Sequence, residues 1–213
     1  CRMLDPQARA LIDLMIERGV PPMHTLSPVE ARRLYRERRS FTQPEPPPMA
    51  EVRDLRTADG PGGIAMRLYR PPQAAPLSPA LVYYHGGGWT IGDLDTHDVL
   101  CRQLAQLAGC VVVAVDYRLG PEHRFPAAVD DGVAATRWVQ AHARSLGIDG
   151  ELLAIGGDSA GGNLAAVTAI ALRDGGGALM RLPLLIYPAT DMRAVANSHR
   201  THAQGYMLTA DSI

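Results

Sequence analysis

Four glycines crowd one serine in the stretch LLAIGGDSAGGNLAAVTAIAL, where Gly156, Gly157, Gly161 and Gly162 surround Ser159. Glycine suits positions where the backbone takes φ values closed to other residues, or where two segments approach closer than a side chain allows. The apolar run at 152–155 reads as a short buried strand. From Asn163 the apolar spacing is helical, with Leu164, Val167, Ile170 and Ala171 on overlapping turns and DGGG ending the run. The change from strand to helix therefore falls within a few residues. Gly157-Asp158-Ser159-Ala160-Gly161 fits the G-x-S-x-G pattern, a tight strand-to-helix turn that exposes a nucleophilic serine. That hydroxyl would stand at the positive end of the helix, where developing negative charge is favoured. A phosphate-binding turn is the bland alternative. No frame of IGGDSAGGN has glycine at the first, third and sixth positions, however, and no G-x-x-x-x-G-K-[ST] occurs in the chain.

A second glycine cluster lies in YYHGGGWTIGDLDTHD. There a strand ends at Tyr84 and His85-Gly86-Gly87-Gly88-Trp89 follows. Glycine amides can point into a cavity unobstructed, as an oxyanion hole requires, while a merely flexible loop is the alternative. Trp89 either lines the pocket or packs beneath this loop, packing being the better reading, and Tyr83 and Tyr84 read as core. In VDYRLGPEHRFPAAVDD, Asp116, Tyr117 and Arg118 end another strand and Pro126 opens a helix. Asp116, Arg118 and Glu122 read as loop buttresses, with Arg118 bracing backbone carbonyls and a carboxylate. In open α/β sheets the binding crevice lies at the carboxyl ends of the strands. These motifs fall at such ends.

The elements that must position them alternate. Asp5-Pro6 starts a helix that runs to about Arg18 before Gly19, and Ser27-Pro28 with Glu30 makes a capping box for a second. TQPEPPPM reads as a linker. Alternating runs at 52–56 and 64–69 flank the turn signal DGPGG and predict a hairpin. ALVYYH, CVVVAVDY, LLAIGGD and LPLLIYP then alternate with helical segments, which predicts a mostly parallel sheet covered on both faces.

Composition sets the outer limits. The 213 residues suit one globular domain, and 21 basic against 22 acidic side chains give no footprint for nucleic acid. No window holds 18 consecutive apolar residues and no signal-peptide core opens the chain, so no membrane span is expected. Cys1, Cys101 and Cys110 are sparse, odd in number and outside any C-x-x-C. They predict a reducing cytoplasm, with neither a disulfide framework nor a metal role.

HGGGW, GDLDTHD, DYRLGPEHRFPAA and GDSAGGN, in this order and spacing, resemble the bacterial hormone-sensitive-lipase family of α/β-hydrolases. The likeness extends over the N-terminal helices and IYPATD. It implies an α/β-hydrolase fold with residues 1–45 as an N-terminal helical cap segment and 46–213 as the core. It implies a carboxylesterase acting on short to medium acyl esters through Ser159, with no cofactor and no metal. The amides of Gly86, Gly87 and Ala160 would form the oxyanion hole, and His85 would hold the glycine loop without being the base. The expected partner is a small-molecule ester, with a homodimer allowed. Two other readings remain open: an amide hydrolase of the formamidase type on the same fold, and a ligand-binding protein on a hydrolase scaffold or an inactive fragment.

A serine nucleophile needs a base and the base an orienting acid, in the chain order serine, acid, histidine for this fold. The family's D-P-L-x-D-like and H-G-F-like motifs that carry them do not occur before Ile213. Asp191 with His202 is a weak substitute, since no strand separates them, and HRTH lacks a third metal ligand. Relatives have an eight-stranded sheet where six strands are found here, and a sheet ending at LPLLIYP would expose an apolar edge. The expectation is that C-terminal strands, with the acid and the base, lie beyond Ile213, and that the Cys1 start is not that of the whole gene product.

Overall fold

The computed structural model describes residues 4–38, 42–58, 62–177, 180–193 and 196–212. They fall into two compact units, one of residues up to 31 together with those from 191, the other of residues 32–190.

In the first unit, α1 (Pro6–Glu17) begins as its sequence predicts: Asp5 accepts the Gln7 amide at 2.8 Å and proline occupies the first turn. The capping box before α2 (Pro28–Glu37) is formed. The Glu30 amide donates to Ser27 Oγ at 3.3 Å, and the Ser27 amide donates to the Glu30 carboxylate at 3.1 Å. The short helix α6 (Asn197–Thr201) and a 3-10 turn, Ala210–Ser212, belong to the same unit.

The second unit is built on a six-stranded sheet of order β1-β2-β4-β3-β5-β6. The strands are β1 (Glu51–Arg56), β2 (Ala65–Arg70), β3 (Ser78–Tyr84), β4 (Val111–Asp116), β5 (Ile148–Asp158) and β6 (Leu182–Ile186). β1 and β2 form the expected antiparallel hairpin, with Glu51 opposite Arg70. Its turn, DGPGG at 59–63, lies largely outside the described residues. β2 meets β4 antiparallel, and β4, β3, β5 and β6 run parallel. Three helices cross between them: α3 (Asp98–Ala108), α4 (Ala127–Ala141) and α5 (Ala160–Asp174).

Side chains alternate across this sheet with period two, so each strand feeds two cores. Met66, Leu68, Val82, Tyr84, Val113 and Ile155 pack on one face with Ala135, Val139 and Leu164 of α4 and α5. Tyr69, Leu81, Tyr83, Val112 and Ala114 pack on the other with Cys101 and Ala105 of α3. The near-continuous apolar run VVVAV thus serves both faces, as a parallel central strand must. β6 lies at one edge of the sheet, with Leu182 and Leu185 exposed.

The end of α2 that belongs to this unit is tied to loops at the carboxyl ends of the strands. The Arg32 guanidinium donates to both oxygens of Glu122, to the Gly120 carbonyl at 2.8 Å and to the Thr90 carbonyl at 2.8 Å. Arg36 pairs with Asp93. One bidentate arginine therefore holds two loops at a fixed separation.

Candidate active site

β5 ends at Asp158 and α5 starts at Ala160, so Ser159 alone makes the turn. Its backbone sits at φ 53°, ψ −116°, a conformation that an L-residue holds only where its surroundings over-determine it. Those surroundings are the neighbouring strands and helix. The Ser159 amide donates to the Ile186 carbonyl at the end of β6 (2.9 Å), and its carbonyl accepts from the amides of Asn163 (3.1 Å) and Ala189 (3.2 Å). The flanking glycines follow from close approach. A Cβ on Gly161 would lie 2.0 Å from the Tyr84 carbonyl oxygen, and one on Gly157 would lie 2.4 Å from the same atom. The helix start is pressed against the end of β3 with no room for a methyl group.

The glycine loop follows β3. Gly87 has φ 125° and its carbonyl accepts the amides of Thr90 and Ile91, both at 3.0 Å. The Gly86 amide donates to Asp158 Oδ1 at 2.9 Å, and a Cβ there would meet the other carboxylate oxygen at 2.2 Å. Among the described residues, no hydrogen bond takes the amides of Gly87, Gly88 or Ala160. Among the described residues, three that are not glycine have positive φ: Ser159 and Tyr187, each directly after a parallel strand, and Trp89 in the glycine loop that follows β3.

Electrostatics beside the elbow are governed by buried polar groups. Burial pushes the Asp158 carboxyl up, but His97, the Tyr83 hydroxyl (2.7 Å) and the Gly86 amide outweigh it and hold the group below the ordinary range. His85 is buried, and desolvation, reinforced by His97, lowers its pKa to about 4, so it is neutral at physiological pH. Its Nδ1 bonds the Gly86 carbonyl at 2.8 Å while the ring stacks on Tyr117 with centroids 4.3 Å apart. Nε2 of His85 has no hydrogen-bond partner among the described residues. His97 faces Asp158 Oδ1 with Nε2 at 3.5 Å and Thr96 Oγ1 with Nδ1 at 3.1 Å, leaving neither ring nitrogen for a serine.

The remaining sequence candidates have structural partners. Trp89 packs partly buried against the core, and its carbonyl accepts the Gly120 amide at 2.7 Å. Arg118 makes a forked pair with Asp131 and reaches the Ala127 carbonyl at 3.4 Å, while Glu122 is held by Arg32. In the other unit, Asp191 pairs with Arg193, and His202 sets its ring edge-on to Tyr206. No hydrogen bond joins Asp191 to His202 among the described residues. Nor do the described residues hold a group of three or more His, Cys, Asp and Glu side chains placed to bind a metal ion.

Asp116, at the end of β4, is raised to about 6 by burial and then by the charge of Asp93, with Arg36 opposing. A carboxyl raised on folding keeps a proton that the unfolded chain releases, so stability falls as pH rises from about 4 through about 6. Asp116→Asn is therefore expected to stabilise the protein by about 1 kcal/mol or more at pH 8, and to leave it unchanged at pH 3.5. Denaturant melts of both proteins at the two pH values check this, and an equal gain at both would refute the assignment.

A family model described as alpha/beta hydrolase fold matches residues 81–213. The chain belongs to the α/β-hydrolase fold family. As an α/β-hydrolase it is 42% identical over 222 residues to ethyl acetate hydrolase of Pseudomonas putida, covering 99% of this chain and 69% of that protein. It is 42% identical to carboxylesterase NlhH of Mycobacterium tuberculosis, covering 99% of this chain and 65% of that one. Among solved structures, an ester hydrolase from the metagenome of Lake Arreo superposes with a TM-score of 0.92 at 44% identity, over 99% of this chain and 68% of that one. A thermostable esterase of Pseudomonas putida superposes with a TM-score of 0.93 at 32% identity, over 100% of this chain and 66% of its own. This α/β-hydrolase chain thus spans about two thirds of the length of these relatives. The resemblance to the hormone-sensitive-lipase family is consistent with all of them. No helix among the described residues is long and apolar enough to cross a membrane.

Sequence reasoning did not single out Asp158, His97, Asp131 or Arg32. The first two lie inside motifs already quoted, GDSAGGN and GDLDTHD, and an acid and a histidine within such motifs were the available signal.

Proposed function

We propose that this α/β-hydrolase is a serine carboxylesterase acting on short to medium acyl esters. The observation that carries the reading is Ser159 on a strained turn at the start of a helix, in an elbow that Asp158 bonds to the glycine loop at Gly86, with the amides of Ala160, Gly87 and Gly88 taken by no acceptor among the described residues. Ser159 Oγ attacks the ester carbonyl and gives its proton to a histidine base. The carbonyl oxygen becomes an oxyanion that accepts hydrogen bonds from the free amides. The alcohol leaves with that proton, and water then releases the acid and regenerates the serine. With the Gly86 amide engaged by Asp158, the donors in this reading are Gly87 and Ala160, with Gly88 next along the loop. The base is neither His85 nor His97, whose ring nitrogens are committed or enclosed. The names of the relatives, ethyl acetate hydrolase and carboxylesterase, support ester over amide. The similar Lake Arreo ester hydrolase was solved with a bipyridine phosphonate derivative, which supports phosphonate chemistry as a probe. The free thiols of Cys101 and Cys110 support a reducing compartment, the cytoplasm.

The test is intact-mass analysis of the full-length protein with a fluorophosphonate, followed by turnover of p-nitrophenyl acetate and of an aryl formamide. One adduct per chain and preferential ester turnover are expected. Faster formamide turnover would move the enzyme to the amide hydrolases, and saturable binding without adduct or turnover would make it a binding protein.

A further inference from the structure

His97 takes no part in the reaction described above, yet it is buried within reach of the elbow. It caps α3, and its carbonyl accepts the Cys101 amide at 2.9 Å. Thr96, which faces Nδ1, is fixed in turn: its amide donates to Asp93 Oδ1 at 2.7 Å, and its Oγ1 accepts the Asp93 amide at 2.9 Å. The imidazole therefore has a set position from which Nε2 meets Asp158 Oδ1 at 3.5 Å. The two side chains are 7% and 10% exposed. Asp158 Oδ1 also receives the Tyr83 hydroxyl and the Gly86 amide.

A buried imidazole and carboxylate are a weak device for stability, because desolvation offsets most of their attraction. What such a pair does well is hold geometry, and the geometry here is specific. Asp158 is the residue before Ser159, and among the described residues its carboxylate makes the one side-chain hydrogen bond from the elbow to the glycine loop. The bond falls on Gly86, and the next peptide carries the Gly87 amide. His85 grips that same peptide from its other side by bonding the Gly86 carbonyl.

We propose that His97 is a positioning residue for the oxyanion site, acting through Asp158 to fix the spacing between Ser159 and the Gly87 amide. The proposal rests on the serine-esterase reading for its catalytic consequence and on the contacts above for its structural one. Removing His97 leaves the Asp158 carboxylate held by the Tyr83 hydroxyl and the Gly86 amide alone, and the register of the glycine loop on the nucleophile loosens. Binding of the ground-state ester is little changed, since the carbonyl oxygen demands its donors most in the transition state.

The test uses His97→Ala, His97→Gln and Asp158→Asn in the full-length protein, with p-nitrophenyl acetate as substrate and amide hydrogen exchange of residues 85–92 as a second readout. His97→Ala should lower kcat by about ten-fold or more with KM within about two-fold, as loss of transition-state contacts does. Glutamine, which keeps an N–H toward Asp158, should restore most of it. The double variant should lose no more than Asp158→Asn alone, because both act along one path. Exchange in 85–92 should quicken in His97→Ala and Asp158→Asn while β3 and β4 stay protected. Multiplicative losses in the double variant, or unchanged exchange with kcat within about two-fold of the parent, would overturn the proposal. If His97→Ala does not fold, the glutamine and Asp158 variants carry the same comparison. An inactive parent would sink the esterase reading alone, since the exchange measurement still decides whether the pair holds the loop.

Discussion

Ser159→Ala is expected to lower kcat by about five to six orders of magnitude, because removing the nucleophile disables the whole catalytic unit. The fold should survive: Ser159 is bound to its neighbours through its own amide and carbonyl, and alanine keeps both. The substitution leaves the free amides of Gly87 and Ala160 in place, so KM should change little. Residual hydrolysis at about a thousand-fold over water would measure what the oxyanion donors achieve without covalent chemistry. Kinetics under saturating ester, with a fluorophosphonate to confirm loss of the adduct, give the answer. Turnover within about ten-fold of the parent would mean that the nucleophile lies elsewhere.

The second large effect is on stability. Gly161→Ala places a methyl carbon 2.0 Å from the Tyr84 carbonyl oxygen and 2.6 Å from that of His85. Both are backbone atoms at the end of a buried strand and cannot swing aside as a side chain would. Either the start of α5 lifts from the sheet or β3 moves, and overpacking of this kind costs about 3 kcal/mol or more. For a domain of this size that lowers Tm by roughly 6–12 °C. Activity should fall too, since the helix start carries the Ala160 amide. Gly109→Ala offers the comparison. Gly109 has φ 64° but nothing within 4 Å of its Cβ position, so only the backbone penalty of about 1 kcal/mol applies. Equal losses at the two sites would show that close approach at Gly161 is not what demands glycine.

Much of this was legible in the residues because the elbow and the glycine loop are backbone devices. A local turn that needs positive φ or close approach must be written in glycine, and glycine next to a serine between an apolar run and a helical one can be read from a single chain. The hairpin at 51–70 and the four parallel strands were legible for a related reason: their periodicity changes at the boundaries. The contacts that join the elbow to the glycine loop were less open to reading. Asp158 meets Gly86 across 72 positions and Arg32 meets Glu122 across 90, and no local pattern announces which distant group a buried carboxylate or guanidinium will find. Asp158 falls at an unspecified position of the G-x-S-x-G pattern and His97 inside GDLDTHD, where neither residue type announces a distant partner. The family resemblance assigned the Gly86 amide to the oxyanion site, and only the placement of Asp158 shows that this amide already has an acceptor.

The backbone of Ser159 carries an evolutionary consequence. Holding an L-residue at φ 53°, ψ −116° costs about 1–3 kcal/mol, a sizeable part of a domain's net stability, and glycine at that position would escape the cost. A lineage that had stopped using the serine would gain robustness from the first glycine to arrive by drift. On the esterase reading proposed above, that strain is the cost of presenting a hydroxyl, rather than a bare backbone, at the carboxyl ends of the strands.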